Sequence, residues 1–190
     1  YIDCRVMDLF IQTFYNNYLF EEVFALLKSI GVSTFDCIVY MKNHSELYST
    51  SVKEIIKDFI SATIDDLYST LEEAQESVLS KEVITKYIKG ELGYNELLTN
   101  TERLFSKFSD SKDLMFKAVN GTLKEKGLLT KKIENYLVEL EKFVSIRKND
   151  PKVDIGSVKS MSFNYDFEAI REANYQINPN EVPSLLAPQR

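Results

Sequence analysis

Apolar residues recur every three to four positions along most of this chain, and nearly every break in that rhythm carries a capping or turn residue. Ile2, Val6, Leu9, Phe10 and Phe14 form the first stripe and predict a helix from Ile2 to about Tyr15. Asn16 and Asn17 break it, since asparagine tolerates left-handed geometry and satisfies turn backbone with its side chain. A second helix is expected over about 19–30, with Phe20, Val23, Phe24, Leu27 and Ile30 on its apolar face. Gly31 stands where a C-terminal glycine cap belongs. The two helices make a hairpin with facing stripes.

Ser33 is a good N-cap for a third helix over about 34–47. Ser51-Val52-Lys53-Glu54 has the capping-box pattern and predicts one long helix from Val52 to Leu79. Ser80 caps a short helix that Gly90 ends, and Gly90-Glu91-Leu92-Gly93 reads as a tight turn. Further helices are expected over about 94–108, 112–126 and 130–146. Ser109-Asp110-Ser111 punctuates the first junction and Gly127 the second. After Lys148-Asn149-Asp150-Pro151 the period changes to two. Met161, Phe163 and Tyr165 alternate with Ser162, Asn164 and Asp166, which predicts a strand over 158–166. Pro179, Pro183 and Pro188 mark an extended tail.

The fold class is therefore mainly α: an irregular multi-helix bundle of about eight helices with one C-terminal β-strand and an extended tail. The expected organisation is a helical bundle over 1–147 followed by a linker, strand and C-terminal arm over 148–190. The lone strand lacks visible partners, so Phe163, Tyr165 and Phe167 are a candidate interface. They either fold onto the bundle or dock by strand addition onto another sheet.

Composition narrows the function. Of the 190 residues, 44% are apolar and 12% aromatic, enough for a substantial core. With 23 basic against 29 acidic residues the net charge is −6, which argues against a nucleic-acid module and against an anionic membrane surface. A winged-helix regulator is disfavoured for the same reason. No apolar run reaches the ~20 residues of a membrane helix, and no secretory leader is visible. The expected setting is soluble and cytoplasmic. The abrupt start in helical rhythm at Tyr1 reads as a piece of a longer polypeptide.

Candidate chemistry is sparse. His44 is the single histidine, so histidine pairs and triads within the chain are excluded. Cys4 and Cys37 have no cysteine neighbour at metal-ligand spacing and read as reduced, buried or half-buried thiols. Asp65-Asp66 and Glu72-Glu73 would share faces of the long helix, but no Glu-x-x-His motif accompanies them, so they read as a solvated face. The glycines form no phosphate loop. No catalytic, cofactor-binding or metal-binding residue is assigned. The dense aromatic group Phe10, Phe14, Tyr15, Tyr18, Phe20 and Phe24 is either a hairpin core or a pocket lining.

Several stretches together carry a family resemblance. They are Asp3-Cys4-Arg5-Val6-Met7, the Phe14-Tyr15-Asn16-Asn17 turn, Leu19-Phe20-Glu21-Glu22-Val23-Phe24, and Leu26-Leu27-Lys28-Ser29-Ile30-Gly31-Val32. The later Tyr87-Ile88-Lys89-Gly90-Glu91-Leu92-Gly93-Tyr94-Asn95 and Phe163-Asn164-Tyr165-Asp166-Phe167 join them. The chain resembles the helical region that follows the barrel in cobalamin-binding-domain radical SAM proteins. That resemblance implies a parent enzyme with an iron–sulfur cluster, S-adenosylmethionine and cobalamin, in which this piece is a non-catalytic accessory C-terminal domain. Its partner would be the missing N-terminal part of the same polypeptide. The family's CxxxCxxC and Asp-x-His-x-x-Gly motifs are absent, so no cofactor is assigned to any residue here. The competing reading is a free-standing helical protein–protein interaction module.

Overall fold

The computed structural model describes residues 1–90, 92–93, 95–148, 150–151 and 162–172. Its elements are α1 (Ile2–Phe10) continuing into a π-helical turn (Ile11–Asn16), α2 (Glu21–Ser29), α3 (Thr34–Asn43), a 3-10 turn (Ser45–Leu47), α4 (Thr50–Asp65), α5 (Leu71–Leu79), α6 (Lys81–Ile88), α7 (Glu96–Ser106), α8 (Phe108–Glu125), α9 (Lys131–Arg147) and the short α10 (Phe167–Glu172). The mainly α class is thus observed.

Many element ends follow from local sequence. The side chains of Ser33, Ser80, Asn95 and Thr130 each accept a backbone N–H from the first turn of the helix they precede. At the end of α2, Gly31 adopts φ +75°. Val32 N then donates to Leu27 O at 2.8 Å and Gly31 N to Lys28 O at 3.1 Å, the paired bonds of a Schellman cap.

Four local expectations are corrected. The expected 52–79 helix is two helices, because the chain turns at 66–70 and restarts at a second capping box. There Thr70 Oγ1 accepts from Glu73 N, and Ser69 N donates back to the Glu73 carboxylate at 2.8 Å. The cap of α4 is Ser49, not Ser51, since Ser49 Oγ accepts from Val52 N. Ser51 instead donates to Asp110 on α8, a tertiary bond the local pattern does not reveal. Ser109, Asp110 and Ser111 do not interrupt a helix; the break lies at Lys107 and all three sit in the first turn of α8. Finally, the first helix turns π-helical after Phe10.

The core is built by α3 packing along α8, α4 along α7, α1 against α3, α4 and α7, and α9 against α8. Leu9, Phe10, Phe14, Phe20, Leu27, Met41, Phe59, Met115, Leu123 and Leu140 are fully buried in one cluster. Each such side chain contributes about 1.5–3 kcal/mol relative to exposure, which holds the bundle without any cross-link. Of the expected strand, 158–161 lies outside the described residues. Over 162–166 the chain bends at Asn164–Tyr165 and enters α10 at Phe167. The proline-marked tail also lies outside the described residues.

Candidate functional site

The π-turn matters because of where it leaves the aromatic residues. A π-turn adds one residue to a helical turn and so rotates the side chains that follow it. Phe10, Phe14 and Phe20 point into the core, with ring centroids 5.7 Å apart for Phe10–Phe14 and 5.9 Å for Phe14–Phe20. Tyr15 and Tyr18 point outward, 49% and 72% exposed. The sequence offered core and pocket as alternatives for this group, and the structure divides it between the two.

The turn that closes the π-segment is strained. Tyr18 has φ +51°, the only non-glycine in that region among the described residues. A left-handed L-residue costs roughly 1–2 kcal/mol. Local bonds hold it there: Tyr18 N donates to Tyr15 O at 3.2 Å, and the Asn17 amide donates to Gln12 O at 2.5 Å. Backbone strain held in place by its surroundings is a common mark of a binding surface.

Beside it lies an open cleft of ≈ 690 Å³. Tyr15, Tyr18 and Phe24 form its aromatic wall, with Tyr15 and Phe24 centroids 5.6 Å apart. Glu21 and Lys28 from α2 and the Val32-Ser33-Thr34 entry to α3 complete it. A smaller depression lined by Ile11, Phe35 and Ile38 shares Tyr15 and Thr34 with the first. The two adjoin at Tyr15 and Thr34, and the larger one sets Asn16, Ser33, Thr34, Glu21 and Lys28 among its apolar and aromatic side chains. Such a surface suits an apolar or aromatic side chain of a peptide segment.

The other sequence candidates are structural. His44 stacks on Tyr40 with centroids 3.7 Å apart, and its Nδ1 lies 2.8 Å from Tyr40 O. Asp65 ends α4 and Glu72 and Glu73 begin α5, so the expected shared faces of one long helix do not exist. Cys37 is buried beside Thr122, and burial pushes its thiol up to about 12. Cys4 is exposed, against the expectation of a buried or half-buried thiol. Tyr165 and Phe167 are buried against α9, where Tyr136 meets them edge-on at 4.8 and 5.3 Å, and Phe143 stacks on Phe167 at 5.0 Å. Phe163 packs half-buried on the same group. In this structure the three side chains of the candidate interface pack onto the bundle.

Among the described residues no group of three or more His, Cys, Asp or Glu could hold a metal ion. No single helix among the described residues is long and apolar enough to cross a membrane; α2 and α3 reach that composition only as a pair bent by 116°, with most of their apolar residues in the core. No family model, curated protein or solved structure matches this chain.

Proposed function

We propose that this chain is a non-catalytic helical accessory domain of a cobalamin-type radical SAM enzyme, and that its aromatic cleft docks an apolar segment of the polypeptide carrying the barrel. One observation carries the reading. The stretches that resemble that family, Phe14-Tyr15-Asn16-Asn17 and Leu19 to Phe24, supply the second half of the π-turn and two of the three rings of the cleft's aromatic wall, Tyr15 and Phe24. Tyr18 is held in a strained conformation with its ring in solvent, which suits a side chain that is covered on docking. The iron–sulfur cluster, S-adenosylmethionine and cobalamin belong, on this reading, to the rest of the parent protein. This domain would wall the barrel mouth or the substrate cavity.

The test is a photo-crosslinking residue placed at Tyr18 in the protein expressed from its complete reading frame. A crosslink within one polypeptide, to a barrel that carries CxxxCxxC, supports the proposal. A reading frame without that motif ends it. A crosslink to a separate protein would favour the interaction-module reading, in which the same cleft grips a foreign peptide.

A further inference from the structure

One charge on the cleft is unanswered among the described residues. Glu21 and Lys28 both line it, the first and the eighth residue of α2, which sets them about 10 Å apart along the helix axis. Glu21 is engaged: its Oε1 lies 3.6 Å from the Arg147 guanidinium at the end of α9, and Arg147 also pairs with the buried Glu22. The Lys28 ammonium, exposed at the other end, has no acidic partner among the described residues. The rings of Tyr15, Tyr18 and Phe24 line the same cleft. It therefore suits an acidic side chain flanked by rigid apolar groups that pack on aromatic faces.

This chain carries such a sequence beyond α10, outside the described residues. Asn178-Pro179-Asn180-Glu181-Val182-Pro183 sets an acid between two prolines and beside a valine, and Glu181 is the single acidic residue of 173–190. Proline fixes φ near −65° and biases the residue before it towards extended backbone, so a segment of this kind loses little freedom on docking. Grooves lined by aromatic rings are a recurring receptor for extended proline-containing segments.

The end of the described chain lies within reach of the cleft. α10 ends at Glu172 and rests through Phe167 on Tyr136 and Phe143 of α9. Phe143 stands one helical turn before Arg147, and Arg147 meets Glu21 on the cleft. From there the way to Lys28 runs about 6 Å along α9 and about 10 Å along α2. Nine residues lead from Glu172 to Glu181, and in extended polyproline-type backbone they cover about 28 Å.

We propose that residues 178–183 dock in the cleft of their own chain, with Glu181 at Lys28 and the prolines against Tyr15, Tyr18 and Phe24. The proposal rests on the reading of the cleft as a peptide-docking site and adds a tethered occupant. Any other segment that docks there must displace it. Tethering makes the contact intramolecular, so its occupancy does not depend on protein concentration.

Benzoylphenylalanine in place of Tyr18, in the 190-residue chain at low micromolar concentration, tests it. Irradiation and peptide mapping should find the crosslink on residues 178–183 of the same molecule. Lys28→Glu and Glu181→Lys should each lower the yield about threefold, the scale of an exposed ion pair, and the two together should restore it. A crosslink to residues 152–161 or to a second molecule, no crosslink at all, or a yield indifferent to both charges overturns the proposal. Such a failure leaves the barrel-docking reading untouched, because the crosslink in the complete polypeptide decides that reading separately.

Discussion

Lys112 on α8 donates from Nζ to Asp150 Oδ2 at 3.0 Å, with side chains 10% and 0% exposed, and so joins the chain beyond α9 to the middle of the bundle. Ser109 also donates to Asp150, while Lys112 donates to Ser145 Oγ at 3.1 Å. Asp113 and Glu141 lie within 3.6 Å of the same ammonium. A buried charge left without its partner is expensive, whereas the pair itself contributes little beyond its desolvation.

Asp150→Asn should therefore destabilise the fold by about 3 kcal/mol, the lower end for breaking a buried pair, because Asp113 and Glu141 still face the ammonium. Lys112→Met added to Asp150→Asn should recover part of that loss, as urea denaturation of the single and double variants would show. Burial by itself lowers the Lys112 pKa, but the hydrogen bond to Asp150 and the charges of Asp150, Glu141 and Asp113 together raise it above 10.5. The linked stability is fully present below pH 10.5 and is lost as pH rises through the higher folded value.

Glu22 gives the opposite case for a carboxylate. It is buried under α2, with the Arg147 guanidinium against it and Glu21 beside that guanidinium at 3.6 Å. Burial lifts its pKa above 4.5, although a backbone hydrogen bond and Arg147 pull it down. Protonation thus favours the folded state, so this contribution is present below pH 4.5 and lost as pH rises through the folded value. Glu22→Gln should remove that part of the stability–pH profile between pH 4.5 and 7, measured by denaturant titration at both ends. An identical profile in the variant would refute the assignment.

The two thiols should separate cleanly. Cys4 is exposed and Cys37 is buried with its thiol held near 12. A disulfide-exchange reagent at pH 8 should modify one thiol per native chain and two in denaturant, because only the thiolate reacts. Peptide mapping of the native product should find the label on Cys4.

Tyr18→Gly should separate stability from docking. Removing the Cβ relieves about 1–2 kcal/mol of left-handed strain, against about 0.5–1 kcal/mol lost to the added freedom of the unfolded chain. The expected outcome is a fold as stable as the wild type or slightly more so. Any binding through the cleft should weaken, because the most exposed ring of its wall is gone.

Gly121 lets α3 approach α8: a Cβ there would meet the Tyr40 ring at 2.3 Å. Gly121→Ala should displace Tyr40 from its stack on His44, at a cost of about 1–3 kcal/mol typical of overpacking. In a Tyr40→Ala background the obstacle is gone, and the same substitution should stabilise α8 by about 1 kcal/mol through helix propensity. Failure of the sign to invert in thermal melts would show that Tyr40 is not the obstacle.

What could be read directly from the sequence is what a helix settles within one turn of its own ends. Ser33 and Ser80 as N-caps and Gly31 as a C-cap were legible because cap and capped groups lie within a few residues. The restart at Thr70 and Glu73 escaped that reading because the apolar rhythm runs across the break. The mainly α class also follows from that rhythm. Tertiary neighbours decided the rest. Ser51 resembles a cap and serves Asp110, which is 59 residues away. Ser109 and Lys112 converge on Asp150 from 41 and 38 residues away. Whether Phe14 or Tyr15 faces the core depends on a π-turn with no clear local signature. Periodicity reports that a side chain is apolar and on which side of its helix it lies; only packing determines whether that side meets the core or the solvent.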